Sequence, residues 1–216
     1  MPQYKLFVCE NKEATSIAAA KSLIETVTSK PNAILGLATG GTMVPVYAHM
    51  VSDFMSHHTN YQFTHTFNLD EYINLNPLYS SESYCSFMNN HLFDKININK
   101  TNIHFPNSKD PAYYDTLIKN SGGIDVQLVG VGVNGHIGFN EPGSSIDSIT
   151  RVVQLTDSTI KANSRFFGGD DNLVPKFAVS MGIQTILNAR KIILVATDIN
   201  KANAIKHILL NHYDPQ

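Results

Sequence analysis

Asn134, His136 and Glu141 fall within eight residues of one another in Val129-Gly130-Val131-Gly132-Val133-Asn134-Gly135-His136-Ile137-Gly138-Phe139-Asn140-Glu141-Pro142. Imidazole moves protons near neutral pH, and a neighbouring carboxylate can orient it and raise its pKa. A single loop histidine is more often structural, but three polar groups gathered after a glycine-rich stretch are harder to explain that way. A second candidate is Asp70-Glu71, where a carboxylate could abstract a proton from carbon or hydrogen-bond a sugar hydroxyl. Taken alone, that pair fits a helix cap or a solvated loop better. A third is Thr39-Gly40-Gly41-Thr42, a strand-to-helix turn whose backbone N–H groups and helix dipole would suit a phosphate. An ordinary tight turn explains that tetrapeptide equally well, since it is neither a GxGxxG nor a GxxxxGK[ST] motif. Arg165, within Ala162-Asn163-Ser164-Arg165-Phe166-Phe167, and Lys201 are candidate cations, and guanidinium suits bidentate phosphate binding. Each could equally be a surface charge, as Lys161, Lys176 and Lys191 are expected to be.

The elements that must position these groups read as alternating strands and helices. Ile124-Asp125-Val126-Gln127-Leu128-Val129 is an apolar strand leading into the histidine loop, and ligands in open α/β sheets bind at the carboxyl ends of strands. Earlier strands are expected at Leu6-Phe7-Val8-Cys9, at Ala33–Ala38 and at Gln62–Leu69. The second of these is apolar throughout, which suggests a parallel strand covered on both faces. Helices are expected over Asn11–Lys30, with Ile17, Ala20, Ile24 and Val27 at helical spacing, and over Val44–Met55, with Pro45 in its first turn. Tyr84, Phe87, Met88, His91 and Leu92 form one helical face, assigned to core packing. A strand at Asn102–Phe105 and a helix at Pro111–Asn120 follow. Beyond the histidine loop come strands at Arg151–Leu155, Phe177–Met181 and Lys191–Thr197, and helices at Asp157–Phe167, Ile183–Ala189 and Asn200–Leu210. This alternation predicts a single α/β domain, a three-layer αβα, doubly wound and mainly parallel sheet of Rossmann-like type.

Composition narrows the function classes. The 216 residues can bury a substantial core, and 43% hydrophobic and 16% charged residues are usual for a soluble globular protein. A formal charge of -2 gives no reason to expect nucleic acid or a membrane surface as a partner. No apolar run reaches the ~20 residues that span a bilayer, and Met1-Pro2-Gln3-Tyr4-Lys5 lacks the apolar core of a signal peptide. Cys9 and Cys85 are too few for a disulfide framework and read as thiols in a reducing cytoplasm. The nine histidines form no ligand-spaced set, so no metal site is expected.

Together these residues resemble the glucosamine-6-phosphate deaminase family, also called glucosamine-6-phosphate isomerases. The resemblance runs from Leu35-Gly36-Leu37-Ala38-Thr39-Gly40-Gly41-Thr42 through Phe67-Asn68-Leu69-Asp70-Glu71-Tyr72, Gly135–Pro142 and Ala162–Phe167 to Asn200-Lys201-Ala202. It implies conversion of glucosamine 6-phosphate and water to fructose 6-phosphate and ammonium in amino-sugar (N-acetylglucosamine) catabolism, with no metal or organic cofactor. By motif position Asp70 matches the base that carries a proton between C2 and C1. His136 matches the ring-opening group, and Asn134 and Glu141 match the residues that orient and tune it. Some members carry Asp where Asn134 stands, which leaves Glu141 to supply more of that tuning here. Gly40, Gly41, Thr42, Arg165 and Lys201 match the phosphate clamp, and Asp157 to about Met181 the mobile lid. The expected partner is the small-molecule substrate, with the protein a monomer or homo-oligomer.

Two departures from the family pattern carry expectations. The sequence stops at Asp214-Pro215-Gln216, where relatives continue through another short segment, so it reads as a truncation or a short natural variant. Some relatives are hexamers activated by N-acetylglucosamine 6-phosphate through a basic pair; here Arg151 is present but Val153 stands in the second place, so no such activation is expected. Three rival readings share the pattern. They are 6-phosphogluconolactonase, which typically lacks the Phe139-Asn140-Glu141-Pro142 ending, galactosamine-6-phosphate deaminase, and a non-catalytic sugar-phosphate sensor that could dispense with Asp70 and His136.

Overall fold

The structure, a computed structural model, describes residues 4–210; the expectations that rest on Met1–Gln3 and on Asp214–Gln216 lie outside the described residues. Its centre is a five-stranded parallel sheet in the order β4-β2-β1-β5-β8, formed by β1 (Ile34–Leu37), β2 (His65–Asn68), β4 (Ile103–His104), β5 (Val126–Gly130) and β8 (Lys191–Val195). All four residues of β1 and the first four of β5 are buried, so both faces of the sheet are covered. This is the mainly parallel, helix-covered, Rossmann-like single domain that the alternation predicts.

Local chemistry accounts for the covering helices. Asn11 caps α1 (Lys12–Ser29), its side-chain oxygen accepting from the Ala14 N–H at 2.8 Å. The buried stripe of α1 is Ala19, Ala20, Leu23 and Val27, while Ile17 faces solvent. Helix α2 (Val44–Met55) starts with Pro in its first turn and sends Val46, Tyr47 and Met50 inward. Helix α3 (Tyr84–His91) is capped by Ser83, and α4 (Pro111–Asn120) by Asp110. Met88 and Leu92, then Tyr114 and Ile118, join the same core. The short α6 (Ile183–Leu187) adds Ile186, and α7 (Ala202–Leu209) buries Ala204.

The strands expected at 151–155 and 177–181 do not enter the main sheet. β3 (Asp70–Tyr72), β7 (Phe177–Ser180) and β6 (Arg151–Gln154) form a separate antiparallel sheet in the order β3-β7-β6. The chain leaves one sheet and enters the other at Leu69, whose N–H bonds Leu37 O at 3.0 Å and whose carbonyl accepts from Met181 N at 2.8 Å. A second apolar cluster packs beside this small sheet, built from Tyr72, Phe139, Leu155, Ile160, Phe167, Val174 and Ala178. Ile160 belongs to α5 (Asp157–Asn163); the expected helix to Phe167 ends there and tightens into a 3₁₀ turn at Ser164–Phe166.

Two other expectations give way. Leu6–Cys9 is extended chain without strand pairing, with Phe7 74% and Val8 87% exposed; an apolar run becomes a strand when a ladder partner receives it, and none of the described residues does. The strand expected from Gln62 begins at His65, because Gln62 and Phe63 turn and leave Phe63 exposed.

Candidate active site

Asp70 sits at the joint between the two sheets, first residue of β3, with 6% of its surface exposed. Burial, and secondarily the charge of Glu71, push its carboxyl pKa up to about 8. Its neighbour has a different job. Glu71 accepts from the backbone N–H groups of Tyr72 at 2.9 Å, Tyr84 at 3.0 Å and Cys85 at 2.8 Å, so it caps the start of α3. The two readings of the pair thus divide between its members: Glu71 is the helix cap and Asp70 the buried carboxylate.

The loop after β5 brings His136, Asn134 and Glu141 together. Asn134 Nδ2 donates to Glu141 Oε2 at 2.7 Å, and Asn134 Oδ1 accepts from the His136 N–H at 3.3 Å. An amide offers both donor and acceptor, which an ionised aspartate could not do here. His136 Nδ1 is buried and lies 3.6 Å from Glu141 Oε2, too long for a hydrogen bond but within reach of its charge. Burial lowers the His136 pKa, Glu141 works against that, and Lys201 adds to it, leaving the imidazole below its usual value. Burial opposes ionisation of Glu141, but hydrogen bonds from Thr159 and Asn134, the nearby His136 and a bond from Thr156 outweigh it and hold the carboxyl below the usual range. Those threonine bonds reach Glu141 Oε1 at 2.6 Å and 3.2 Å.

Two glycines make this packing sterically feasible. A Cβ at Gly132 would sit 2.3 Å from the His136 ring, so the imidazole lies directly over bare backbone. At Gly138 the backbone takes φ +59, and a Cβ would come 3.1 Å from Ser180 Oγ and 3.2 Å from Asp70 Oδ2. The histidine loop therefore crosses directly above Asp70.

The turn at Thr39–Thr42 leads into α2 without a side-chain cap, since the N-cap position is Met43. Tyr47, buried in the first turns of α2, donates its hydroxyl to Ala38 O and holds the turn against the strand end. A Cβ at Gly40 or Gly41 would meet nothing within 4 Å, so the uncapped helix start faces open space, and Thr42 is half-buried beside it. Lys201 is partly buried at the end of the 3₁₀ turn Ile199–Lys201, after Asp198, which adopts a left-handed backbone at φ +83 and pairs with Lys12. Lys201 lies close enough to influence His136. Arg165 is exposed in the turn after α5, its guanidinium 4.7 Å from the centre of the Phe166 ring, and forms no ion pair among the described residues.

Several positions here were not singled out from sequence. Thr156 and Thr159 look like ordinary helix-start residues, and Thr156 does cap α5; a threonine within reach of a distant carboxylate leaves no local trace. Ser180 and Asn163 also escape a linear reading. Ser180 Oγ accepts from Phe139 N at 3.2 Å, and Asn163 Nδ2 donates to Tyr72 OH at 2.9 Å. Among the described residues no group of three or more His, Cys, Asp or Glu side chains is arranged to hold a metal ion, and no helix is long and apolar enough to cross a membrane.

Comparison with known proteins gives a consistent match. The sequence model of the glucosamine-6-phosphate isomerases/6-phosphogluconolactonase family matches residues 10–216. Glucosamine-6-phosphate deaminase of Mycoplasma mycoides is 49% identical over 208 residues, covering 95% of this chain and 84% of that protein. Glucosamine-6-phosphate deaminase 2 of Bacillus subtilis is 46% identical, covering 94% and 84%. A solved structure described as a monomeric glucosamine-6-phosphate deaminase superposes with a TM-score of 0.93 at 37% identity, covering 98% of this chain and 90% of that one. A 6-phosphogluconolactonase from Trypanosoma cruzi shares the fold, with a TM-score of 0.75 at 18% identity, over 97% of this chain and 86% of that one.

Proposed function

The chain belongs to the glucosamine-6-phosphate isomerase/6-phosphogluconolactonase family, and we propose that within it the protein acts as a glucosamine-6-phosphate deaminase. The enzyme couples an aldose–ketose isomerisation to deamination, turning glucosamine 6-phosphate and water into fructose 6-phosphate and ammonium. One observation carries the assignment of roles: the histidine loop lies over a buried carboxylate, with Gly138 bridging Asp70 and Ser180.

The chemistry follows from what the substrate requires. The pyranose ring must open before C2 carries an acidic proton beside a carbonyl. Opening moves a proton from the O1 hydroxyl to O5, and His136, held below its usual pKa and neutral near pH 7, is able to accept one and return it. Asp70 then takes the C2 proton, leaving an enolamine, and delivers it to C1. The resulting fructosimine adds water at C2 and expels ammonia. Only the ionised fraction of Asp70 can take this proton; with the carboxyl pushed up to about 8 that fraction is small near neutral pH and grows as pH rises, but it is a stronger base than an ordinary carboxylate. Glu141, held ionised by Asn134, Thr156 and Thr159, supports the positive charge that His136 gains in passing.

The phosphate would rest on Gly40, Gly41 and Thr42 at the uncapped start of α2, with Lys201 beside it. Binding energy gained there helps to align C1 and C2 over Asp70. Arg165 would join this clamp when the lid, from Asp157 to about Met181, moves over the substrate. The anchored end of that segment is β7, the middle strand of the small sheet, so the movable part is α5 and the turns after it. A sugar-phosphate substrate and two free cysteines fit a reducing cytoplasm.

The test is release of ammonium and fructose 6-phosphate from glucosamine 6-phosphate, with galactosamine 6-phosphate and 6-phosphogluconolactone assayed in parallel. Equal release of both products from the first substrate is expected. Turnover confined to either of the others would assign the chain to another reaction on this fold, and binding of all three without turnover would make it a sensor.

A further inference from the structure

The small sheet holds one rung of three residues that belong together. Asp70 on β3 stands opposite Ser180 on β7, and Ser180 stands opposite Arg151 on β6. Residues directly opposite one another in a sheet point to the same face. Here that face carries the histidine loop. Ser180, fully buried, accepts from the Phe139 N–H at 3.2 Å and donates to Met181 O at 3.2 Å. Arg151 Nη1 donates to Asn140 Oδ1 at 2.8 Å, and Nη2 reaches Ser144 Oγ at 3.4 Å. Asn140, 3% exposed, spends its amide N–H groups on Ile137 O at 2.9 Å and Met181 O at 2.7 Å. The segment 137–140 is thus fastened at its backbone by Ser180 and through its asparagine by Arg151, at the two residues that follow Gly138, where the loop meets Asp70.

We infer that Ser180 and Arg151 are positioning residues for the deaminase reaction: they clamp the histidine loop down over Asp70, fixing the base relative to His136 and keeping water from it. The inference rests on the roles proposed above for Asp70 and His136. Arg151 acts here through Asn140 and not through a ligand of its own. The groups that face Asp70 from the surrounding elements are Glu71 and Tyr72 on its own strand, Tyr84 on α3 and Tyr114 on α4. None of these belongs to the clamp, so loosening it changes the solvation of Asp70 while leaving its neighbours' charges in place.

The experiment uses the full chain with Ser180→Ala and Arg151→Gln, and with Arg151→Lys as the variant that keeps a donor for Asn140. In Ser180→Ala, kcat should fall roughly 10-fold or more, as misplacement of a reacting group does. KM and inhibition by inorganic phosphate should stay within about twofold, the range expected when the substrate's remote binding contacts survive. The acid limb of the kcat profile should move to lower pH by about half a unit or more as water reaches Asp70. Arg151→Gln should shift the same limb in the same direction, and Arg151→Lys should recover most of it. A second readout does not need activity: the loss of thermal stability with rising pH that Asp70→Asn removes should be smaller in Ser180→Ala than in the parent. An unshifted limb, a uniform loss at all pH values, or an unchanged stability profile in folded variants would overturn the inference. If Ser180→Ala does not fold, Arg151→Gln carries both readouts. A parent protein inactive on glucosamine 6-phosphate would sink the functional reading, while the stability profile would still decide whether the clamp exists.

Discussion

Asp70 bears a cost that the rest of the fold must offset. With its carboxyl raised to about 8 by burial, it is neutral in the folded protein between pH 4 and 8 while the unfolded chain would be ionised there. The folded state therefore binds more protons, and the stability this group contributes is full below its unfolded pKa and is lost as pH rises through about 8. Asp70→Asn should accordingly melt at a higher temperature than the parent at pH 8 and at a similar temperature near pH 4. The same substitution should reduce ammonium release by about 10² to 10⁴, the usual contribution of a positioned base, while leaving sugar-phosphate binding intact. A calorimetric scan at the two pH values beside a rate assay checks both. At this scale the sequence was informative about His136, Asn134 and Glu141, because their contacts fall within one loop. Residue types alone could not separate Asp70 from Glu71; the family resemblance singled out Asp70. What separates them is that Glu71 reaches the start of α3, thirteen residues on, and that contact exists once the chain has turned.

Among the elements, α5 ties the region proposed as the lid to the histidine loop. Its capping Thr156 and its Thr159 both donate to Glu141, and its last residue, Asn163, bonds Tyr72 beside Asp70. Moving α5 away would strip Glu141 of two hydrogen bonds that favour its ionised form. The state of the carboxyl that supports His136 is thereby linked to the position of α5. Thr159→Val, which keeps the shape and removes the hydroxyl, should lower kcat by at most roughly 10- to 150-fold, the full value of a hydrogen bond to a charged group. Affinity for phosphate should be unchanged. Steady-state rates with phosphate as a competitive inhibitor would show the split. Helices α2 and α4 could be delimited from sequence because Pro and capping residues mark their starts. The strands at 151–154 and 177–180 read correctly as strands but not as a second sheet. A strand's partner is chosen by distant residues, and short alternating runs carry no mark of which sheet receives them.

For the molecule as a whole, the chain's own side chains engage the position where an activating basic pair would act. The Arg151 guanidinium is engaged by Asn140 and Ser144, and Val153 packs against the second apolar cluster. N-acetylglucosamine 6-phosphate should therefore leave the initial rate unchanged at subsaturating substrate; a rise in a coupled rate assay would contradict this. The fold class was legible because five parallel strands alternate with helices whose apolar stripes are plain. The small sheet was hidden by its connectivity, since β3 and β7 lie more than a hundred residues apart and nothing between them announces the pairing.

That separation also bears on time. The β1, β2 and β4 part of the main sheet can grow from neighbouring strand–helix units, but the Asp70–Ser180 pairing, like that of β1 with β5, must wait until the two ends of a long stretch of chain meet. While the chain is being synthesised, β1, β2 and β4 with their helices would be in place before the floor of the site exists, because β6 and β7 emerge later. The protein passes through a partly structured but chemically silent stage, and competence arrives once the strands of the small sheet dock.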